Sequence, residues 1–205
     1  ELCRKQSIYF DPATEDLETI QHHTVDFLGI NQYYPKRVRA PRYQWNEETP
    51  FHPERYYEVF DLPGKKMNNS RGWEIYPKIM YDIAMYLKEN YRNIPWLITE
   101  NGMGREHEEQ YMDEKGIVQD DYRIEFIGQH LRYLIKAAEE GANCEGYMLW
   151  AFTDCVSPMN AFKNRYGLVR IELNDERSRT LKKSASWYQS LIDKRELSLP
   201  DEAYK

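Results

Sequence analysis

Three short apolar runs alternate along the chain with longer segments of helical periodicity. The runs are residues 25–34 (VDFLGINQYY), 94–99 (IPWLIT) and 146–152 (GYMLWAF). The first run, which is apolar and aromatic and is ended by Pro35, is typical of a strand that is buried on both faces. The other two runs are expected to be short apolar strands, so the pattern predicts three strands in all.

Helical periodicity separates these strands. Apolar side chains recur every three or four residues at Tyr76, Ile79, Met80, Ile83, Ala84 and Leu87, and again at Ile124, Ile127, Leu131, Leu134, Ile135 and Ala138. Each series places one apolar stripe along a helix. Pro77 suits the first turn of the earlier helix, and Gly141 lies where glycine commonly ends the later one. A last helix is expected over about residues 183–194.

Two further segments fall outside this alternation. Residues 35–71 contain five prolines, many charges and no sustained period, which indicates a long excursion over the surface. Residues 166–171 are expected to form one arm of a short hairpin ahead of Asn174 and Asp175. No internal repeat or low-complexity segment is evident.

The alternation of strands with helices favours parallel βα units, which occur in an open doubly wound sheet and in a (β/α)8 TIM barrel. No strand is followed by the glycine fingerprint of a dinucleotide-binding sheet. Polar and aromatic residues instead follow all three strands: Asn31, Tyr33, Glu100, Asn101, Trp150 and Asp154. Barrels carry their active sites at these strand ends, so the barrel is favoured. Since a barrel takes about 250 residues, the 205 residues of this chain are expected to form only part of one.

Composition narrows the class of ligand. The chain carries 28 Lys and Arg against 34 Asp and Glu, a net charge of −6, and its positive charges form no basic face or tail. A nucleic acid is therefore not an expected partner, and a small molecule is. Aromatic residues make up 14% of the chain, enough to suggest a site that stacks against flat surfaces.

The cysteines argue against a disulfide framework or a zinc site, because Cys3, Cys144 and Cys155 are odd in number and lack CxxC spacing. A reducing cytoplasm is the expected location, with no metal and no organic cofactor. No apolar run reaches the roughly 20 residues of a membrane span, and the first residues lack the apolar core of a signal peptide.

Glu100 is the first candidate for chemistry, because it ends an apolar strand where a carboxylate is unusual unless it is paired or catalytic. The alternative is a strand-end residue that caps the next loop or faces solvent. Tyr33 lies two residues after Asn31, so both side chains are expected on one face of the first strand. A phenol there can hydrogen-bond a carboxylate and favour its ionised form.

The segment Thr99-Glu100-Asn101-Gly102 resembles the TENG motif of family 1 glycoside hydrolases, the retaining β-glycosidases built on a (β/α)8 barrel. Residues 26–35 (DFLGINQYYP) are similar to the sixth-strand segment of that family, residues 72–77 (GWEIYP) to its GWEI-x-P segment, and residues 146–154 with 166–169 to its eighth-strand region. Their order and approximate spacing agree from about residue 10 to residue 192.

The resemblance implies a role for five residues. Glu100 would be the nucleophile that attacks the anomeric carbon, Tyr33 would orient it, and Asn31 would be a polar contact in the same site. Trp150 would be the platform under the sugar, although a core tryptophan is the alternative. Trp73 would line the aglycone side, with a packing role at the helix entrance as its alternative.

The loop after Trp150 bears on the substrate. Family members that act on unmodified sugars usually carry a glutamate seven residues after that tryptophan, followed by another tryptophan, where this chain has Ser157 and Pro158. Loss of a carboxylate and gain of a hydroxyl suit an anion at the C6 position of the sugar. The replacement resembles the 6-phospho-β-glucosidase branch, in which a serine, a lysine and a tyrosine hold the phosphate.

Ser157 and Tyr166 match that branch in position, whereas Asn164 occupies the place of the lysine. Lys163 is one residue away and is a candidate to bind the phosphate. The alternative is that Lys163 and Arg165 are ordinary surface charges. The expected substrate is a phosphorylated β-linked disaccharide or an aryl β-glucoside. Hydrolysis of unphosphorylated β-glucosides is the alternative.

A retaining glycosidase needs a second carboxylate as acid and base, which the family takes from an Asn-Glu-Pro segment. This sequence has none, and its nearest candidate is Asn46-Glu47-Glu48 in the long excursion. The chain is therefore expected to be the C-terminal three of eight βα units, without the N-terminal barrel half. Either an N-terminal barrel portion completes an enzyme, or the chain is an inactive fragment or assembly module that covers its open edges by self-association.

Overall fold

The computed structural model describes residues 7–9, 11–43 and 52–199. Cys3, the first residues of the chain and Asn46-Glu47-Glu48 lie outside the described residues. In chain order the elements are α1 (Thr14–His22), β1 (Leu28–Asn31), β2 (Val38–Arg39), a 3₁₀ helix (Pro53–Arg55), β3 (Glu58–Val59), β4 (Met67–Asn68), β5 (Trp73–Glu74), α2 (Ile79–Asn90), β6 (Trp96–Asn101), a second 3₁₀ helix (Glu108–Tyr111), α3 (Asp121–Glu139), β7 (Cys144–Leu149), β8 (Val169–Ile171), β9 (Arg179–Leu181) and α4 (Lys183–Lys194).

The chain divides into two compact units, one of Glu1–Asp26 with Lys36–Gly64 and the other of Phe27–Pro35 with Lys65–Lys205. The second unit contains a parallel sheet in the order β1-β6-β7, in which the three strands lie side by side in the order in which they occur along the chain. Ile30 is in register with Ile98, and Ile98 with Tyr147. The carboxyl ends of all three strands therefore lie at the same edge.

The helices that connect these strands pack against each other and against the sheet in one apolar core. Met80, Ala84 and Leu87 of α2 meet Trp96 and Ile98 of β6, together with Leu134 and Ala137 of α3. Consecutive parallel strands with adjacent helices on a shared side are the arrangement of a (β/α)8 barrel. A doubly wound sheet would instead reverse its strand order and place helices on both faces.

The prediction that the first strand is buried on both faces is wrong. The residues of β1 alternate between partly buried and exposed, and β7 also has exposed positions, whereas β6 contains three fully buried residues. The reason is that β6 pairs on both sides, while β1 and β7 each pair on one side within the described sheet. The two outer strands are therefore edge strands.

Several boundaries differ from those that the apolar pattern indicates. β6 begins at Trp96 and ends at Asn101, two residues later than expected, because Pro95 has no N–H for a ladder and the polar residues continue the strand. β7 begins two residues before the apolar run and ends three residues before the run does. α2 begins at Ile79 after a turn in which the Ile79 and Met80 N–H groups bond to Tyr76 and Pro77.

The predictions for the end of the chain are confirmed. β8 and β9 form the expected antiparallel hairpin, and α4 spans Lys183–Lys194. α3 spans Asp121–Glu139, and Gly141 follows it in the left-handed conformation with φ of +87°. Glycine adopts this conformation without a Cβ clash, which is why it ends helices so often.

The excursion over residues 35–71 is not wholly irregular. In the first unit, β2 pairs with β3, and the side chains of Arg39 and Arg42 both donate to Glu58. In the second unit, β4 and β5 form an antiparallel pair. These two-residue ladders are too short to produce a period in the sequence. α1 was also not predicted, and its residues are exposed rather than arranged around a buried stripe.

None of the helices within the described ranges is long and apolar enough to cross a membrane. In those same residues, no cluster of three or more His, Cys, Asp or Glu side chains is suited to holding a metal ion.

Candidate active site

Glu100 and Tyr33 meet at the carboxyl end of the sheet. Glu100 is the penultimate residue of β6, and Asn31 at the end of β1 is its register partner. The N–H of Gln32 bonds to the Glu100 carbonyl at 2.8 Å, which holds the chain leaving β1 beside β6. The Tyr33 hydroxyl then donates to Glu100 Oε2 at 2.7 Å. The predicted partnership of phenol and carboxylate is therefore present in the structure.

The surroundings of Tyr33 keep its phenol protonated, so that it remains a hydrogen-bond donor to Glu100. Burial, followed by the hydrogen bond and the charge of Glu100, raises the pKa of Tyr33 well above its ordinary value. The phenol thus keeps its proton at any physiological pH and donates to the carboxylate. Among the described residues, no hydrogen bond reaches Glu100 Oε1, so the second oxygen is unencumbered.

Asn31 does not share the contact of Tyr33. β1 ends at Asn31, so the two-residue alternation that predicted a common face does not extend to Tyr33. Asn31 Oδ1 instead accepts a hydrogen bond from the Thr99 hydroxyl at 2.6 Å. Asn31 therefore lies beside the residue that precedes Glu100, and its contact with a sugar stays a prediction.

Asn101 joins the three strands at the same level as Glu100. It is fully buried, donates to the Gln32 carbonyl at 2.7 Å and accepts from the Tyr147 hydroxyl of β7 at 2.6 Å. Bonds to both neighbouring strands hold β6 in place where Glu100 projects. The sequence marked Asn101 only as one of several polar residues at a strand end.

Gly102 and Gly104 give the loop after β6 room for two aromatic residues. A Cβ atom on Gly102 would lie 1.7 Å from the backbone oxygen of Trp150, and one on Gly104 would lie 2.4 Å from the Tyr166 ring. The Trp150 N–H bonds to the Asn101 carbonyl at 2.8 Å. The glycines thus bring Trp150 and Tyr166 against the segment that carries Glu100.

Trp150 follows β7, and its peptide bond to Ala151 is cis. The residue is 39% exposed, and its role as the platform under the sugar stays a prediction. Trp73 of β5 lies within an aromatic group: its ring centroid is 4.9 Å from that of Tyr34, in a stacked arrangement, and 5.4 Å from that of Tyr33. Trp73 is therefore a neighbour of the Tyr33–Glu100 pair.

Tyr166 is also close to this group. It is buried, and its charged form, like that of Cys155, is near enough to contribute to the raised pKa of Tyr33. Burial raises the pKa of Tyr166, while the nearby charge of Arg71 opposes that rise. The structure thus brings together Tyr33, Glu100, Trp73 and Tyr166.

The structure gives the three remaining predicted residues, Ser157, Lys163 and Asn164, hydrogen bonds or ion pairs with other protein groups. Ser157 lies in a tight turn, exchanges backbone hydrogen bonds with Ala161, and accepts the Met159 N–H at 3.3 Å through its hydroxyl. Lys163 is 64% exposed and lies 3.4 Å from Glu106. Asn164 is fully buried and donates to Glu106 at 3.3 Å, and its Oδ1 atom has no partner among the described residues.

Five charged side chains that the sequence did not single out as a group form a buried ion cluster (Glu108, Asp120, Arg123, Asp154 and Lys182), and none is more than 2% exposed. Arg123 donates to Asp120 at 2.8 Å and also to Glu108. Lys182 bridges Glu108 and Asp154, with 2.9 Å between its Nζ and the Asp154 carboxylate. Burial of such charges is stable only when they are paired in this way.

The buried ion cluster holds the loop that carries Tyr166. Arg123 donates to the carbonyl oxygens of Met103 and Tyr166, the latter at 2.9 Å. Asp154 accepts the Gly167 N–H at 3.0 Å. The loops that follow β6 and β7 are therefore tied to each other and to the starts of α3 and α4.

Comparison with known proteins identifies the family of this chain. The model of glycosyl hydrolase family 1 matches residues 1–197. The chain is 49% identical over 193 residues to 6-phospho-beta-glucosidase GmuD of Bacillus subtilis, covering 94% of this chain and 42% of the relative. It is 33% identical over 188 residues to a 6-phospho-beta-galactosidase of Staphylococcus haemolyticus, covering 84% of this chain and 38% of the relative.

The solved structures agree with the fold. The family 1 β-glucosidase of Thermotoga maritima superposes with a TM-score of 0.77 at 26% identity, over 97% of this chain and 41% of that enzyme. The chain thus spans about two fifths of the length of the relatives that it matches. The prediction of a C-terminal part of a (β/α)8 barrel is confirmed, and the chain belongs to glycosyl hydrolase family 1.

Proposed function

We propose that this chain forms part of a retaining 6-phospho-β-glucosidase and supplies its nucleophile, Glu100. The observation that carries the proposal is the 2.7 Å hydrogen bond from Tyr33 to Glu100 at the carboxyl end of a barrel strand. Active sites of barrels are built at these strand ends. A carboxylate with one oxygen held by a permanent donor and the other unencumbered is suited to attack in one direction.

In the proposed reaction, a Glu100 oxygen attacks the anomeric carbon and the bond to the glycosidic oxygen breaks. A general acid protonates the departing oxygen, and the sugar becomes covalently attached to Glu100. A water molecule, deprotonated by the same acid group in its base form, then attacks the anomeric carbon and releases Glu100. Tyr33 keeps the carboxylate oriented through both steps.

The second carboxylate is proposed to come from an N-terminal barrel portion. Retaining enzymes place the two carboxyl groups about 5 to 5.5 Å apart, and the sequence has no Asn-Glu-Pro segment to supply the second one. The edge strands β1 and β7 are where further barrel strands would pair. We therefore expect the chain by itself to be inactive and the completed barrel to be active.

A sugar phosphorylated at C6 is the proposed substrate class. The relative with 49% identity is named a 6-phospho-beta-glucosidase, and Ser157 and Tyr166 match the phosphate-binding serine and tyrosine of the branch that the sequence resembles. Trp150 would support the sugar ring, and Trp73 would line the aglycone side. We also propose a cytoplasmic location, because the cysteines lack the spacing of a disulfide framework.

An unphosphorylated β-glucoside is the second candidate substrate, and Asn164 favours it. This residue stands where the resemblance leads one to expect a phosphate-binding lysine, and in the structure its amide is buried against Glu106. A neutral side chain there provides no charge for an anion.

Complementation tests the proposal. The chain is assayed alone, and again after joining to the N-terminal portion of GmuD, with p-nitrophenyl β-glucoside and its 6-phosphate as substrates. We expect turnover only in the completed barrel, with the 6-phosphate preferred. Preference for the unphosphorylated substrate would favour the second candidate. A completed, folded barrel without turnover of either substrate would favour the inactive module.

A further inference from the structure

Few of the positive charges near Tyr166 are available to an anion. Arg123 and Lys182 are committed to the carboxylates of the buried ion cluster. Arg165 lies 3.5 Å from Asp154 and donates to the Ile171 carbonyl. Lys163 is paired with Glu106 and mostly exposed, so solvent screens its charge. If an anion binds beside Tyr166, another cation must serve it.

Arg71 occupies a suitable place in the turn between β4 and β5. Two contacts anchor this turn to the loop that follows Glu100. The Asn68 side chain donates to the Gly104 carbonyl at 3.0 Å, and the Ser70 hydroxyl accepts the Glu106 N–H at 3.1 Å. The N–H of Arg71 bonds to the Asn68 carbonyl at 3.1 Å. The backbone of Arg71 is therefore fixed relative to the catalytic strand.

The guanidinium of Arg71 lies over the Trp73 ring of the candidate site and near Tyr166. Its Cζ atom is 4.3 Å from the centroid of the Trp73 ring, and its charge is near enough to the Tyr166 phenol to oppose the rise in the pKa of that group. Trp73 is in turn 5.4 Å from Tyr33, ring centroid to ring centroid. Arg71 is thus linked through one aromatic ring to the residue that holds the nucleophile.

The charge of Arg71 is not neutralised by a carboxylate among the described residues. Its Nε atom is buried and lacks a hydrogen-bond partner there. The contacts that it does make are with aromatic groups, which leave the fork of donors able to bind an anion. A phosphoryl group accepts two parallel hydrogen bonds from such a fork, and the Tyr166 phenol can donate to it as well.

We propose that Arg71 binds the phosphoryl group of the substrate beside Tyr166 and supplies the charge that Asn164 lacks. This specificity role rests on the proposed function, because it presupposes a phosphorylated sugar in the site. It assigns selection of the anion to the β4–β5 turn, which lies outside the loop after β7.

The test compares Arg71→Met, Arg71→Lys and Lys163→Met in the barrel completed with the N-terminal portion of GmuD. The matched control is Lys66→Met, which removes a positive charge near the same turn from an exposed pair with Glu125. For each variant we would measure kcat/KM for p-nitrophenyl β-glucoside and its 6-phosphate, inhibition by glucose 6-phosphate and by glucose, and thermal unfolding.

We expect Arg71→Met to lower kcat/KM for the 6-phosphate at least about tenfold, the size of a lost charge-assisted hydrogen bond, with little change for the plain substrate. Inhibition by glucose 6-phosphate should weaken in parallel, Arg71→Lys should lose less, and Lys66→Met should match the parent. Equal losses on both substrates, or a selective loss in Lys163→Met alone, would overturn the role of Arg71. A parent barrel without preference for the phosphate would instead refute the proposed substrate.

Discussion

Gly102 and the carbonyl group of Trp150 are in such close contact that no larger residue fits at position 102. A Cβ atom added to Gly102 would lie 1.7 Å from the Trp150 oxygen. Gly102 follows Asn101 directly, and the Trp150 N–H bonds to the Asn101 carbonyl. The end of β7 is thus locked against the segment that presents Glu100. The glycine that ends the TENG motif is explained by the lack of space for a side chain rather than by a role in the chemistry.

Gly102→Ala should therefore destabilise the fold by about 3 kcal/mol or more, since backbone must move to relieve the clash. The control is Gly146→Ala in β7, where an added Cβ atom would be 4.0 Å from the Leu97 side chain, an ordinary contact. Thermal and urea unfolding of the two variants would check this. Equal stability of the two would show that the loop can relax around a side chain.

Glu100→Gln should lower kcat of the completed barrel by several orders of magnitude, because an amide cannot form the glycosyl-enzyme. The fold should be retained, since glutamine can still accept the hydrogen bond from Tyr33. Glu125→Gln, at an exposed pair with Lys66, is the matched control. Near-normal kcat in Glu100→Gln would remove Glu100 from the role of nucleophile.

Ser157→Glu should lower kcat/KM for the 6-phosphate more than for the unphosphorylated substrate. Two negative charges about 5 Å apart near the protein surface repel by up to about 3 kcal/mol, so a loss of roughly 10- to 100-fold is expected. Ser157→Gln separates this repulsion from the effect of size. Parallel losses on both substrates in Ser157→Glu would count against a phosphate near Ser157.

His130 should make stability depend on pH between about 6.5 and 4. It is buried in α3, and burial, opposed by the bond to the Phe126 carbonyl, lowers the pKa of His130 to about 4. As the pH falls through 6.5 the unfolded chain takes up a proton that the folded chain refuses, so stability that is present above this pH is lost on acidification. The loss reaches about 3 kcal/mol near pH 4.

Urea unfolding of the parent and of His130→Gln from pH 7 to pH 4 measures this contribution. The variant should lack the steepest part of the decline, whereas His107→Gln, at an exposed site, should retain it. An unchanged decline in His130→Gln would place the acid sensitivity elsewhere.

The sequence predicted those elements whose own residues decide their form. α4 and the β8–β9 hairpin are local, and β6 is flanked by neighbours that cover both of its sides, so its apolar run matched its burial. The Tyr33–Glu100 pair was also predictable, because parallel strands bring their carboxyl ends to one edge.

Other features depend on contacts between distant parts of the chain, which no local pattern reports. Charged residues such as Arg123 and Lys182 are ordinarily assigned to the surface, yet both are buried here by partners far away in sequence. Arg71 lies in a turn without periodicity, and its nearness to Tyr166 follows from tertiary packing. β1 was predicted as buried because its apolar run carries no sign of which sheet edge it occupies.

The buried ion cluster has a consequence for protein engineering. Its members come from the loop after β6, the loop after β7 and the starts of α3 and α4, and Arg123 and Lys182 each pair with a carboxylate from another segment. A grafted β7 loop that lacked Asp154 would leave Lys182 with one fewer counter-charge in a dry interior. Chimeras that exchange the loop bearing Ser157 and Tyr166 therefore need to exchange these four segments as one module.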